Sequence, residues 1–104
     1  MGKKPLDGLS ESMYYILMAL LHQDRCGSQL VEAIAARTAG RLSIGPGTLY
    51  TILAKFEEEA LIVETAVEGR KRTYAITERG RALYQEELRR LRCCVTDGES
   101  EEPV

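Results

Sequence analysis

The chain has no tryptophan, a single phenylalanine and a single histidine, and only three cysteines and three prolines in 104 residues. No motif sets a nucleophile or a carboxylate pair beside His22, so an enzyme is not expected; that imidazole is expected to sit on the carbonyl end of the first helix. Cys26, Cys93 and Cys94 form no spaced set with His22, which excludes a zinc-type site and leaves no residues for a metal or cofactor. Reduced structural thiols are expected, with a redox link across a dimer through Cys93 or Cys94 as the alternative. No apolar run approaches a membrane span, and the opening MGKKPLDG has no apolar segment behind its lysines. A cytoplasmic protein with no membrane partner is therefore expected.

What is present fits one small globular domain: 44% hydrophobic and 29% charged residues. The net charge of -2 would disfavour a polyanionic partner, but its distribution matters more than its sum. The first 94 residues carry all 14 bases against 12 acids, whereas Asp97, Glu99, Glu101 and Glu102 crowd the last ten. That end has no apolar periodicity and reads as a disordered acidic tail over 96–104.

Four helices and a hairpin can be read. Ser10 caps a first helix over 11–22, with Met13, Ile16, Leu17, Leu20 and Leu21 at helical spacing. A second spans 28–39 and stops at Gly40, and a third runs from Pro46 to about Glu59. The period then changes to two: LIVETAV and RTYAIT flank EGRK, a hairpin with a glycine in its turn. Thr77 caps a fourth helix, in which Tyr84, Leu88, Leu91 and Val95 make a narrow coiled-coil-like seam, widened by Leu83 and flanked by Glu86, Glu87, Arg89, Arg90 and Arg92. The seam suits a second copy of the chain.

On the third helix, Leu49, Ile52, Leu53, Phe56 and Ala60 share one side and hold it to the domain. Gly47, Thr51, Ala54 and Glu58 point away, with Thr48 and Lys55 on one flank and Tyr50 on the other. Pro46 at the first helical position costs no hydrogen bond, Gly45 can be the N-cap, and Gly47 leaves the first-turn amides bare. Such a terminus attracts phosphate oxygens, and the hydroxyls of Thr48, Tyr50 and Thr51 add donors. Two helices, a bare-ended third and a hairpin tipped by Arg70, Lys71 and Arg72 are the parts of a winged helix-turn-helix. The fold class is α+β, mostly α: a winged helix-turn-helix DNA-binding domain over 1–77, a C-terminal dimerisation helix over 78–95, then the tail.

From Leu9 to Leu91 the chain resembles the PadR family of winged-helix transcriptional repressors. GPGTLYTILAKFEEEALI is similar to that family's Gly-Thr-Leu-Tyr helix with its acidic run, and EGRKRTYAITERG to its Gly-Arg-x-Arg wing. The resemblance implies DNA contacts from Thr48, Tyr50, Arg70 and Arg72, with Lys71 nearby, and a homodimer built through the C-terminal helix. It also implies, where a member has one, a small hydrophobic or phenolic effector held near that helix and the first. The chain departs from the pattern in three places. Ser28 follows Gly27 where the family has tyrosine, leaving a serine hydroxyl for phosphate. Ala60 stands where glycine is general, so a left-handed backbone there would be strained. No tryptophan offers a stacking platform.

The expected function is a dimeric repressor on a double-stranded DNA operator. Its alternative, a winged-helix protein interaction module without DNA binding, draws on the overall acidity and on Ser28. Metal sensing has no ligands, whereas Met13, Tyr14, Tyr15, Ile16, Met18, Tyr84 and Leu88 offer surface for an organic effector.

Overall fold

The computed structural model describes residues 8–102; the ends of the first and last segments named above, residues 1–7 and 103–104, lie outside them. Among the described residues the order is α1 (Glu11–Ala19), β1 (Arg25–Cys26), α2 (Gly27–Arg37), α3 (Pro46–Glu58), β2 (Ile62–Glu68), β3 (Lys71–Ile76) and α4 (Glu78–Glu101). The strands form one antiparallel sheet in the order β1-β3-β2. Ile16, Leu17, Leu20, Leu30, Ile34, Leu49, Leu53, Phe56 and Ile62 fill the core between α1, α2, α3 and the sheet.

Three of the four helices begin as their sequence directs, and α2 begins at Gly27 with Cys26 as its cap. Ser10 Oγ accepts the Met13 amide at 3.2 Å, and Thr77 Oγ1 accepts that of Gly80 at 3.0 Å. Gly45 caps α3, with Pro46 at its first position. The hairpin closes through Gly69 at φ 63, with Glu68 opposite Lys71, so Gly69 and Arg70 form a two-residue turn with the glycine first. A bulge between Glu64 and Ala66 bends β2.

Several expectations are corrected. The first helix ends at Ala19, short of His22, and arginines take the carbonyls there: Arg25 Nε donates to Ala19 O at 2.6 Å and Arg81 to Leu21 O, just past the helix, at 3.0 Å. His22 is exposed, and the imidazole is not needed there. The second helix ends at Arg37, and Ala39, at φ 51, takes the left-handed position before Gly40, whose amide donates to Ala35 O at 2.8 Å. Ala60 is exposed instead of buried, because the third helix has already ended at Glu58. Glu87, expected on a solvated flank, is 6% exposed and paired with Arg90, whose Nε lies 3.0 Å from its carboxylate.

The acidic tail is not disordered over its described length: α4 continues to Glu101, and Glu102 donates its amide to Gly98 O. Extending an existing helix costs far less than nucleating one, and Ser100 Oγ adds a bond to Asp97 O at 2.8 Å. Lack of apolar spacing marks a helix that buries nothing in its own domain, not a coil.

Ala60 has φ 59, the strained conformation foreseen from the missing glycine. It closes a Schellman motif, with Leu61 donating to Phe56 O at 2.8 Å and Ala60 to Glu57 O at 3.0 Å. The same two residues receive α4: Thr77 donates its hydroxyl to Ala60 O at 2.8 Å and its amide to Leu61 O at 3.0 Å. Gly80 packs so tightly there that a Cβ would stand 2.1 Å from Leu61 O. Ala60→Gly is therefore expected to raise stability by about 1 kcal/mol, and Gly80→Ala to lower it by about 2–3 kcal/mol, in urea unfolding followed by circular dichroism.

Candidate nucleic-acid interface

The front of α3 is open. Gly45, Pro46, Gly47, Thr48 and Tyr50 are all exposed, and a Cβ on Gly47 would meet nothing. The first-turn amides thus lie bare at the positive end of the helix dipole, with no acidic residue in that turn. Ile52, Leu53 and Phe56 anchor the opposite side in the core. Open surface and packing surface are separated by the helical period alone.

Farther along, from Tyr50 to Glu57, α3 and the hairpin line a groove of about 600 Å³. Tyr50, Ala54 and Glu57 form one wall, Arg70, Lys71 and Arg72 the other, and Cys26, Gly27 and Ser28 the end. Nine residues were expected to act together: Ser28, Gly47, Thr48, Tyr50, Thr51, Lys55, Arg70, Lys71 and Arg72. Five of them, Ser28, Tyr50, Arg70, Lys71 and Arg72, line this groove, and Gly47, Thr48 and Thr51 stand exposed on the same helix. Lys55 is half-buried toward the helix end and does not line it. Thr51 is not a free donor, since its hydroxyl bonds back to Gly47 O at 2.9 Å.

The charges are less one-sided than the sequence suggests. Arg72 approaches Glu64 at 3.5 Å, and Glu57 stands on the α3 wall, so acids temper the hairpin's bases. The seam is also redistributed. Tyr84 stacks on Tyr14 with ring centroids 5.0 Å apart and planes 5° from parallel, so it serves its own domain. Burial and the neighbouring Tyr84 push the Tyr14 hydroxyl up to about 12. Leu88 and Leu91 are half-buried and Val95 is 57% exposed, forming an apolar strip beyond the domain.

Sequence inspection missed the back of the groove. Strand β1 is two residues long, too short for a period, and it pairs Arg25 with Tyr74 and Cys26 with Thr73. Gly27 matters through contact: a Cβ there would lie 3.2 Å from the Tyr50 hydroxyl and 3.3 Å from a Leu49 methyl. A side chain there would push Tyr50 and Leu49 back by a few tenths of an ångström, so the glycine lets Tyr50 lie close across the start of α2. Cys26 occupies the cap position of that helix, with the Gln29 side chain accepting its amide at 2.9 Å. The Ser28 hydroxyl, 3.4 Å from the sulfur, and the Gln29 amide hold the Cys26 thiol below its ordinary range despite burial.

A helix-turn-helix whose third helix bares its N-terminus beside a basic β-hairpin defines a winged-helix transcriptional regulator. The chain belongs to the transcriptional regulator PadR-like family, whose model matches residues 16–86. It is 34% identical over 79 residues to the transcriptional regulator YqjI of Escherichia coli, which covers 76% of this chain and 38% of that protein. The chain thus spans about two fifths of the length of that curated relative. Among solved structures, a transcriptional regulator from Clostridium thermocellum superposes with a TM-score of 0.74 at 26% identity, covering 88% of this chain and 91% of that one. Bacillus subtilis PadR in complex with operator DNA shares the fold, with a TM-score of 0.65 at 21% identity over 73% of this chain and 46% of that one. Among the described residues no helix is long and apolar enough to cross a membrane, and no cluster of metal-ligating side chains occurs.

In a Cys93→Ser/Cys94→Ser background, thiolate absorbance is expected to appear at lower pH than for a free thiol. Ser28→Ala should move that titration upward, because it removes the leading stabiliser of the charged form.

Proposed function

We propose that the chain binds double-stranded operator DNA as a homodimer and acts as a repressor, with α3 entering the major groove and the β2–β3 hairpin lying along the backbone or minor groove. The observation that carries this is a groove that Tyr50, Ala54 and Glu57 of α3 share with Arg70, Lys71 and Arg72 of the hairpin, on a helix whose amide-bearing terminus is open. Phosphates would bind the first-turn amides, Arg70 and Lys71, while Thr48 and Tyr50 stand where base edges would pass. That B. subtilis PadR, which shares the fold, was solved in complex with operator DNA supports a DNA-binding role.

The strip of Leu88, Leu91 and Val95 supports dimerisation, which would set two recognition helices about one helical turn of DNA apart. A small hydrophobic or phenolic effector fits this reading at the α1–α4 surface, near Met13 and the stacked Tyr14 and Tyr84. A module that binds only protein is not favoured, since the family is one of transcriptional regulators. A cytoplasmic location accords with that role.

Arg70→Ala/Arg72→Ala is expected to weaken binding to every DNA sequence in a mobility-shift titration. It should also reduce the slope of log affinity against log salt by about 0.9 for each phosphate contact removed. Unchanged affinity and slope would contradict the proposal.

A further inference from the structure

The outward face of α3 lacks the side chains that most often read bases. Behind Pro46 and Gly47 its exposed side chains are Thr48, Tyr50, Thr51, Ala54, Glu57 and Glu58. Guanine is commonly read by a bidentate arginine or lysine and adenine by asparagine or glutamine, because those groups match the donors and acceptors on the major-groove edge. Neither arginine, asparagine nor glutamine occurs on α3, and Lys55, its one cation, is half-buried in the last turn. The helix must discriminate with another kind of group.

Methyl groups stand where base-reading side chains would. Gly47, Thr51, Ala54 and Glu58 follow one another at steps of four, three and four, within about 60° of one direction and away from buried Leu49, Leu53 and Phe56. Thr51 turns its hydroxyl back onto Gly47 O at 2.9 Å, so its methyl is the group left to touch a base. Ala54 carries only a methyl, and it lines the groove shared with the hairpin. Ahead of both, a Cβ on Gly47 would meet nothing, so no side chain holds the backbone away from a partner. On the flanks, the hydroxyls of exposed Thr48 and Tyr50 can each donate or accept, so they impose no fixed hydrogen-bond pattern.

The apolar group on a base's major-groove edge is the C5-methyl of thymine. We infer that α3 selects its operator through C5-methyl groups, contacted by the methyls of Thr51 and Ala54, and that 5-methylcytosine can take the place of thymine there. The inference rests on the DNA-binding reading above and adds what the helix reads. Beside the shared methyl, thymine offers an acceptor and 5-methylcytosine a donor, and the Thr48 and Tyr50 hydroxyls can satisfy either.

The test uses the full chain and the DNA upstream of its own gene, amplified with either thymidine or deoxyuridine triphosphate. The uracil fragment lacks every C5-methyl but keeps its charge and base pairing. Burying one methyl is worth about fourfold in affinity, so contacts in two half-sites predict a loss of about tenfold or more on the uracil fragment, with the salt dependence unchanged. Thr51→Ser keeps the hydroxyl and deletes one methyl, Ala54→Gly deletes the other, and each should narrow the thymine-over-uracil ratio. At a footprinted thymine, 5-methylcytosine should hold the parent affinity within about twofold, whereas plain cytosine should lose about fourfold. Equal binding of the two fragments, a ratio undiminished in both variants, or equal losses with the two cytosines would overturn the methyl readout while leaving DNA binding standing. A chain that binds neither fragment would instead overturn the DNA-binding reading itself.

Discussion

The orientation of everything functional depends on one tight junction, where the start of α4 presses against the end of α3. Ala60 and Leu61 accept the hydroxyl and amide of Thr77, and Gly80 approaches Leu61 O more closely than any side chain would permit. Because β2 begins at Ile62 and β3 ends at Ile76, the same contact clamps both feet of the hairpin. The third helix, the hairpin and the terminal helix are thereby fixed to one another by two hydrogen bonds and a missing Cβ. A strained Ala60 persists there because its neighbours over-determine its conformation.

From that junction the division of labour on α3 follows. Its rear apolar side is committed to the core, so the remaining side must face outward, and the hairpin rooted beside it brings Arg70 and Lys71 alongside. The overall negative charge does not oppose such a surface, since four of the acids lie at the far end of α4. Glu57 and Glu64 do temper it, and they would favour binding that depends on fitted contacts over one driven by bulk charge.

Much of this was legible in the residues. Ser10, Thr77, Pro46 and Gly69 each announce a local geometry that the backbone adopts, and the change of period at Leu61 marks the hairpin correctly. The strain at Ala60 was visible as a missing glycine. Other features escaped because their causes are tertiary. Strand β1 exists only by pairing with β3, Tyr84 leaves the seam because Tyr14 is there to stack on, and Glu87 is buried under Arg90. The helicity of residues 96–101 is hidden for a different reason: their polar composition is that of a disordered segment, though a helix already running can extend through such residues.

The most direct measurement of the central claim is a map of backbone amide shifts in the labelled chain as DNA from upstream of its own gene is added. Gly47, Thr48, Tyr50, Arg70 and Lys71 should move together at one stoichiometry, with the outer half of α4 unaffected. Shifts confined to α4, or α3 and the hairpin responding to separate events, would contradict a single DNA-binding surface held together by the junction of Leu61 and Gly80.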